Sequence, residues 1–313
     1  MSQNILDIPS WSSFEWTQEF NIAKQQHDTH AVRAAVFQST LHIINQGVYI
    51  SENGIKVLLR DYLNRNNIND NSFYISEIPA EFSWIKNKTK YEVVQQDCLE
   101  LARTLKQKNN ADDLAVLNMA SASNPGGGVY GGAGAQEEYL FRCSDYYRFL
   151  FQYATHFDCR LYDIMPNQQF HYPLDRNFGG IFSRNVTIFR NTEANGYALL
   201  DTPWHANFIA VAACNLKYHE RGLRIPEYLV ETTLNKIRTI LRIAYTHQQT
   251  RLVLGAFGCG AFGNPPQHMA ELFAQCLNEP EFIGRFKDIY FAILPDHNDR
   301  KGNYRAFKSV FEE

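Results

Sequence analysis

Apolar residues recur with helical spacing over the first fifty residues of the chain. Between residues 14 and 47 they follow helical periodicity in two groups: Phe20 and Ala23, then Val32, Val36, Phe37, Leu41 and Ile44. Gly47 follows, and glycine often ends a helix in the left-handed conformation. Asn53–Gly54 then separates two runs of β-forming residues, which predicts a hairpin, and the polar residues 64–72 predict a loop.

Strand-like and helix-like segments alternate from residue 89 onward. Short apolar runs predict strands at 90–97, 112–120, 185–190, 207–215, 250–257 and 288–294. Helical spacing predicts helices over 98–107, 226–247 and 265–277, and one from Gln136 that buries Leu140, Cys143, Tyr147, Leu150 and Ala154. Strands joined by helices need crossover connections, so we expect an α/β fold with a mixed or parallel sheet covered on both faces.

The predicted organisation is a single structural unit. No internal repeat, low-complexity tract or linker divides the 313 residues. We expect residues 89–313 to form the α/β core, with residues 1–88 as an N-terminal extension of helices and a hairpin packed on it. Residues 163–184 show little periodicity, and we expect a long ordered loop there, on the ligand-binding side of the sheet.

Net charge and cysteine content limit the classes of ligand and the cellular locations that we expect. A formal net charge of −3 gives no general attraction to a nucleic-acid backbone or an anionic membrane. The six cysteines include no C-x-x-C pair, and the N-terminal segment lacks the basic and apolar regions of a signal peptide. No apolar run approaches the ~18 residues of a membrane span. We therefore expect buried, reduced cysteines in a cytoplasmic protein that is a monomer.

Two glycine-rich segments follow predicted strands: NPGGGVYGGAGAQEE at 124–138 and GAFGCGAFGNPP at 255–266. In a parallel α/β sheet, ligands bind where such loops leave the carboxyl ends of the strands. Glycine permits positive φ and close approach of backbone N–H groups, so these loops could hold a diphosphate without lysine. Neither is a Walker A loop, and neither has the G-x-G-x-x-G pattern of a dinucleotide-binding fold. A single glycine-rich turn would more often be only a turn, but two at strand-to-helix junctions favour a ligand site.

Two adjacent carboxylates, Glu137 and Glu138, open the helix that follows the first glycine segment. One interpretation is electrostatic, because acidic residues stabilise the positive N-terminal end of a helix. Neighbouring helix positions point about 100° apart, so the two side chains would have different surroundings and different tasks. A carboxyl group beside a bound diphosphate suits the alternative interpretation, general acid catalysis.

Residues 126–138, which read GGG, then seven residues, then QEE, resemble the signature of poly(ADP-ribose) glycohydrolases. Those enzymes have the macrodomain fold, a three-layer α/β/α sandwich. The bacterial-type branch is the more similar one, since VLNMASASNPGGG, IFSRNVTIFR, LVLGAFGCGAFGN and FAIL have counterparts there in the same order. The N-terminal stretch VRAAVFQSTLHIINQGVYI also resembles that branch. The resemblance runs from about residue 30 to the end of the sequence, except for 162–180, which has no clear counterpart.

The resemblance implies a glycosidase that releases ADP-ribose from poly(ADP-ribose) or from ADP-ribosylated proteins. Glu138 would be the catalytic acid and base, and Glu137 would hold the ribose hydroxyls beside the scissile bond. Cleavage of a ribosyl O-glycosidic bond has an oxocarbenium-like transition state, and protonation of the departing oxygen assists it. No cofactor and no metal is implied. His27 and His30 share a helix face, but histidines at that spacing usually bind no metal ion.

The resemblance also implies a set of substrate contacts. The glycines of the first loop would surround the diphosphate and terminal ribose from one side and those of the second loop from the other, with Phe262 packed on the ribose. Asp97 would accept from the adenine amino group, and Asn118 would contact the ribose or brace the loop. The full substrate-binding set is Asp97, Asn118, Gly126, Gly127, Gly128, Gln136, Gly258, Cys259, Gly260, Ala261 and Phe262.

Two other functions are compatible with the same residues. A non-catalytic ADP-ribose reader would need the glycine loops but not the acid, so the intact Gln136–Glu137–Glu138 favours an enzyme. A hydrolase acting on mono-ADP-ribose, attached to protein or nucleic acid, would keep every one of these residues. General nucleic-acid binding and membrane association are not expected.

Overall fold

The computed structural model describes residues 8–65, 67–82, 87–109, 112–155, 164–219, 222–294 and 302–312. The chain forms two compact units, each built from three separate segments. The first unit comprises Met1–Asp70, Asn124–His171 and Ser183–Ala206, and the second comprises Asn71–Ser123, Tyr172–Phe182 and Asn207–Glu313. The division into an extension and a core at residue 88 stays a prediction.

Helices and a short hairpin begin the first unit: α1 (Ser13–Gln25), α2 (His30–Gln46), β1 (Tyr49–Ile50), β2 (Lys56–Val57) and α3 (Leu59–Leu63). The predicted helical region therefore consists of two helices. Ser12 caps the first of them, since its side chain accepts the Glu15 N–H. Gly47 ends α2 with a φ of 67°, and β1 pairs with β2 in antiparallel fashion, so the helix stop and the hairpin are confirmed.

The helix that begins at Gln136 is shorter than predicted. It ends at Cys143 as α5 (Gln136–Cys143), and a separate turn of helix follows as α6 (Tyr147–Leu150). Ser144 is extended, with φ −147°, and forms a β-bridge with Ile188. Asp145 exchanges hydrogen bonds with the backbone of Thr187, at 3.1 and 2.7 Å. Pairing with this distant segment breaks the helix, although Leu140, Cys143, Tyr147 and Leu150 are buried as predicted.

Seven strands form one mixed sheet: β3 (Ser72–Tyr74), β4 (Lys90–Val94), β5 (Leu114–Met119), β6 (Gly180–Arg190), β7 (Leu199–Val211), β8 (Arg251–Leu254) and β9 (Asp288–Ala292). Their order is β3-β6-β7-β5-β8-β9-β4. The run β7-β5-β8-β9-β4 is parallel, whereas β3 is antiparallel to β6. The predicted α/β class, the mixed sheet and all six predicted strands are confirmed. The prediction of a loop over 163–184 is wrong at its end, because β6 already starts at Gly180.

The second unit contains the other long helices: α4 (Cys98–Asn109), α7 (Glu227–Thr246), α8 (Pro266–Leu277) and α9 (Asn303–Phe311). The first three match predictions, and α9 lies outside the predicted elements. Its Phe307 is fully buried against Phe273 of α8 and Phe291 of β9.

Among the described residues, no helix has the length and apolarity needed to cross a membrane. The five described cysteines are buried as predicted: Cys98, Cys143, Cys214, Cys259 and Cys276. Cys159 lies outside the described residues.

A bidentate ion pair ties α2 to the turn after β6 in the first unit. Arg33 donates from Nε and Nη2 to the two carboxylate oxygens of Glu193, each at 2.8 Å. Burial alone would raise the pKa of Glu193, but the hydrogen bonds and charge of Arg33 outweigh it and hold that pKa below its ordinary value. The pair is therefore stronger than a typical surface ion pair.

This lowered pKa predicts part of the acid sensitivity of the fold. An unfolded glutamate has a pKa of about 4.3, so the contribution of Glu193 is complete above about pH 5 and is lost as the pH falls through the lower, folded pKa. Glu193→Gln should therefore flatten the decline of the unfolding free energy below about pH 5, measured by urea titration at several pH values. Glu92→Gln, which removes an exposed pair with Lys90, is the control and should leave the decline unchanged. Equal pH dependence of wild type and Glu193→Gln would contradict the prediction.

Candidate active site

The triple glycine forms a tight turn that only glycine accommodates well. Gly126 and Gly127 have φ of 75° and 53°, in the left-handed region. The Gly127 N–H donates to the Asn124 carbonyl at 3.1 Å, and the Val129 N–H donates to the Gly126 carbonyl at 3.0 Å. After the triplet, Tyr130 packs between Phe37 and Phe151, so an aromatic cluster within the first unit supports the loop.

The two glutamates are bound by the amides of this turn. The Gly126 N–H donates to Glu137 Oε1 at 3.1 Å, and the Gly128 N–H donates to Glu138 Oε1 at 2.8 Å. Both side chains are buried, with 3 % and 7 % of their surface exposed. A glutamate can stabilise a helix end from solvent, so that role alone does not require burial. These two are instead fixed in place by hydrogen bonds from the backbone amides of the triplet.

The absence of side chains at the triplet leaves room for the carboxylates. A Cβ atom on Gly127 would overlap Glu138 Oε1 and would lie 3.2 Å from Glu137 Oε2. A Cβ on Gly126 would lie 2.7 Å from the Phe141 ring. At Gly127 the carboxylates therefore occupy the volume that a side chain would take, whereas at Gly126 the Phe141 ring does so.

The carboxyl oxygens of Glu138 differ in their surroundings. Oε1 accepts the Gly128 N–H, whereas Oε2 is buried and has no hydrogen-bond partner among the described residues. A proton on this carboxyl group would therefore be carried by Oε2, since Oε1 already faces a donor. Arg33 lies close enough for the charge of Glu138 to add to that of Glu193 in raising the pKa of the guanidinium.

The start of α2 braces the far end of the first glycine loop. His30 forms a hydrogen bond between Nδ1 and the Gly131 carbonyl at 2.9 Å. A Cβ on Gly132 would overlap the His30 carbonyl, and one on Gly134 would lie 2.5 Å from Arg33 Nη1. The sequence predicts no role for these two α2 residues in the loop, because nothing local connects them to residues a hundred positions later.

The second glycine loop, in the second unit, has a different bonding pattern. Gly258 has φ 70°, and a Cβ there would lie 2.5 Å from Ala213 Cβ. Asn264 fixes the loop by donating from Nδ2 to the carbonyls of Gly258 and Cys214, at 3.0 and 2.7 Å. Cys259 is fully buried. The amides of Gly258, Gly260, Ala261 and Phe262 donate no hydrogen bond to the described part of the chain.

The other predicted contacts of the second unit have structural partners of their own. Asp97 follows β4 and caps α4, because its Oδ1 accepts the N–H groups of Leu99 and Glu100 at 2.8 and 3.1 Å. Asn118 is fully buried near the end of β5. Phe262 is half-buried and packs against the core of the second unit, while Ala261 is exposed. Since β4, β5 and β8 are parallel, Asp97, Asn118 and the second glycine loop lie toward the same edge of the sheet.

Comparison with known proteins relates this arrangement to a family. The family model of the microbial-type PARG catalytic domain, PARG being poly(ADP-ribose) glycohydrolase, matches residues 37–191, which include the triple glycine and both glutamates. The Thermomonospora curvata enzyme, solved with the inhibitor ADP-HPD, is 30% identical with a TM-score of 0.71, over 89% of this chain and 99% of that one. The chain belongs to the microbial-type PARG family.

A second PARG structure gives a similar result. The Deinococcus radiodurans PARG, solved in complex with ADP-ribose, is 36% identical with a TM-score of 0.57, over 72% of this chain and 85% of that one. A search of curated protein sequences gives no match. Family membership confirms the predicted PARG resemblance. The macrodomain assignment of the signature and the roles of individual residues stay predictions.

The structure groups the predicted site residues by unit. Gly126, Gly127, Gly128, Gln136, Glu137 and Glu138 are brought together in the first unit, and Asp97, Asn118, Gly258, Cys259, Gly260, Ala261 and Phe262 belong to the second. Within the described part of the chain, no group of three or more His, Cys, Asp or Glu side chains could hold a metal ion.

The overlap at Gly127 predicts a stability cost beyond backbone strain. Gly127→Ala should reduce the unfolding free energy by roughly 1–2 kcal/mol through its positive φ, and by about 1.5–3 kcal/mol more if Glu138 loses its amide. Gly54→Ala is the matched control, since Gly54 has φ 75° and nothing within 4 Å of the added Cβ.

Urea unfolding of both variants measures the difference. In a Glu138→Ala background the clashing oxygen is absent, so the extra cost of Gly127→Ala should largely disappear. An extra cost that persists there, or that equals zero in the wild-type background, would contradict the geometric explanation.

Proposed function

We propose that this chain hydrolyses the ribose–ribose O-glycosidic bonds of poly(ADP-ribose) and releases ADP-ribose, with Glu138 as general acid and base. Membership in the microbial-type PARG family supports the activity. The observation that carries the role of Glu138 is its asymmetry, with one oxygen fixed by the Gly128 amide and the other buried without a hydrogen bond in the described structure. Such a carboxyl group is fixed in orientation and can direct a proton from Oε2.

The reaction then proceeds in two proton transfers. Glu138 Oε2 donates its proton to the ribose oxygen that departs, and the bond between that oxygen and the anomeric carbon breaks with oxocarbenium character. The Glu138 carboxylate next accepts a proton from water while the water oxygen bonds to the anomeric carbon. ADP-ribose is released, the polymer is shortened, and the acid is restored. The diphosphate of the substrate can stabilise the positive charge, so a second catalytic carboxylate is unnecessary.

Glu137 serves to orient the ribose. Its Oε1 accepts the Gly126 N–H at 3.1 Å, which fixes the side chain beside that of Glu138. A fixed carboxylate accepts hydrogen bonds from ribose hydroxyls, and alignment of the scissile bond with a fixed acid accounts for a large part of many enzymatic rate accelerations. Gln136, Asp97 and Asn118 are proposed as further substrate contacts.

The two glycine loops would contribute in different ways. The three amides of the first triplet already donate to Asn124, Glu137 and Glu138, so that loop supplies space for the ligand and orientation for the carboxylates. In the second loop, the amides of Gly258, Gly260, Ala261 and Phe262 have no acceptor among the described residues. Successive unpaired amides suit an anion, so we assign the diphosphate to this loop, with Phe262 beside the ribose.

One assay tests the proposed function. The protein is incubated with auto-modified poly(ADP-ribose) polymer and, separately, with mono-ADP-ribosylated protein, and the released product is identified by mass. We expect ADP-ribose from the polymer. Tight ADP-ribose binding without release from either substrate would indicate a reader, and release from the mono-modified protein alone would indicate a mono-ADP-ribosyl hydrolase.

Substitution of the two glutamates separates catalysis from helix stabilisation. Glu138→Gln keeps the hydrogen-bond acceptor for Gly128 but removes the ionisable proton, so turnover should fall ~10²–10⁴-fold. Calorimetry should show that ADP-ribose affinity largely survives, because the glycine loops supply most of the proposed contacts. Glu137→Gln should lower turnover and also weaken substrate binding.

The matched control is Glu227→Gln, which removes an exposed carboxylate from the first turn of α7. Its effect should be limited to about 0.3–1 kcal/mol of stability. Near-normal release of ADP-ribose by Glu138→Gln would overturn the mechanism.

A further inference from the structure

A fully buried arginine lies on the last turn of α5, the helix that carries both glutamates. Arg142 donates from Nη1 to the Ala133 carbonyl and from Nε to the Tyr197 hydroxyl, each at 2.8 Å. Its third nitrogen, Nη2, is buried with no hydrogen-bond partner in the described structure. No carboxylate forms a direct ion pair with it among the described residues. Burying a charge in this manner is costly, so a purely structural purpose would be served better by an apolar side chain.

The Ala133 contact connects Arg142 to the carboxylate at the centre of the site. Ala133 donates its N–H to the Gly128 carbonyl at 3.2 Å. Gly128 in turn donates its own N–H to Glu138 Oε1 at 2.8 Å. Arg142 therefore holds Ala133, the last residue of a loop whose first residue, Gly128, orients Glu138. Arg142 and Glu138 lie on the same helix, four positions apart.

The Tyr197 contact fixes the other side of the guanidinium. Tyr197 is fully buried, and burial raises the pKa of its phenol well above the ordinary value, so the hydroxyl stays neutral. It accepts from Arg142 and donates to Glu193 Oε2 at 2.9 Å, and Glu193 is paired with Arg33. Tyr197 also has φ 54°, a conformation that bulky residues rarely adopt. The surrounding fold thus holds a strained residue at the position where its hydroxyl meets Arg142.

We propose that Arg142 is a positioning residue for hydrolysis, which acts through the Gly128–Ala133 loop to hold Glu138 in its productive orientation. The inference rests on the proposed function, since it assigns a further residue to the same reaction. Lysine at this position would keep the charge but could not donate to Ala133 and Tyr197 from the fixed planar fork of a guanidinium. Loss of either bond would let the loop move and displace the Gly128 amide.

Arg142→Lys and a matched control variant test the proposal. Arg242→Lys removes another largely buried, bidentate guanidinium, which is paired in the second unit with Glu281 and, through Nη1, with Glu77. Both variants should be less stable than wild type. Only Arg142→Lys should lower kcat per folded molecule for release of ADP-ribose from poly(ADP-ribose), on the order of 10–100-fold as expected for a slightly misplaced catalytic group. Its KM and its calorimetric affinity for ADP-ribose should stay within about twofold of wild type.

A pair of milder variants tests the proposal even if Arg142→Lys does not fold. Tyr197→Phe removes only the hydroxyl that receives Arg142, and Tyr49→Phe removes a buried hydroxyl that donates to the Leu200 carbonyl elsewhere in the first unit. We expect Tyr197→Phe to lower kcat severalfold and Tyr49→Phe to leave it unchanged. Equal kcat values for the two members of each pair would overturn the proposal.

A double substitution distinguishes positioning from general disturbance. If Arg142 acts through the Glu138 carboxyl group, Arg142→Lys should cause little further loss of turnover in a Glu138→Gln background. A full multiplicative loss there would show that Arg142 acts elsewhere. If the wild-type protein itself releases no ADP-ribose from polymer, the proposed function fails and this inference fails with it, whereas normal wild-type release with unaffected variants refutes this inference alone.

Discussion

Two hydrogen bonds, from the Gly126 amide to Glu137 and from the Gly128 amide to Glu138, determine how the candidate site is built. A Cβ atom at Gly126, Gly127 or Gly128 would meet Phe141, Glu138 or Ala133, respectively, at a distance shorter than real Cβ contacts show. The triplet must therefore be glycine, and its turn needs the positive φ that glycine tolerates. The aromatic support beneath the loop and the α2 residues at its far end follow from the same constraint, because a loop this free of side chains has to be held from outside.

The elements that the sequence predicts well are those whose cause is local. Buried strands of the sheet show as short apolar runs, and α7 and α8 show as helical spacing, so both patterns can be found without knowing what lies nearby. The end of α5 is different. Residues 144–147 continue the helical pattern, but Ser144 and Asp145 pair with Ile188 and Thr187, more than forty positions later. A non-local partner of this kind outweighs a local preference, and the same holds for the early start of β6.

The candidate site also combines contacts between residues close in sequence with contacts between distant ones. Glycines and glutamates at 126–138 interact with one another within a dozen residues, so their spacing in the sequence already reflects their contacts. His30 bonds to this loop across 101 residues, Tyr197 bonds to Arg142 across 55, and Arg33 bonds to Glu193 across 160. Nothing in the neighbourhood of these residues distinguishes them from ordinary surface or core positions. Only the folded structure shows that they converge.

The contrast between the two glycine loops shows why composition alone does not define a ligand site. Both loops follow parallel strands, and both contain glycines with positive φ. In the first loop, the carboxyl groups of Glu137 and Glu138 accept hydrogen bonds from the Gly126 and Gly128 amides, so these amides are not available to a bound anion. In the second loop, Asn264 donates from its side-chain amide to two carbonyls, and its Oδ1 accepts no loop amide among the described residues. The N–H groups of the second loop therefore keep their capacity for an anion. The availability of amides in a glycine-rich loop is set by the acceptors around it, and this difference supports the proposal of an acid site at the first loop and a phosphate site at the second.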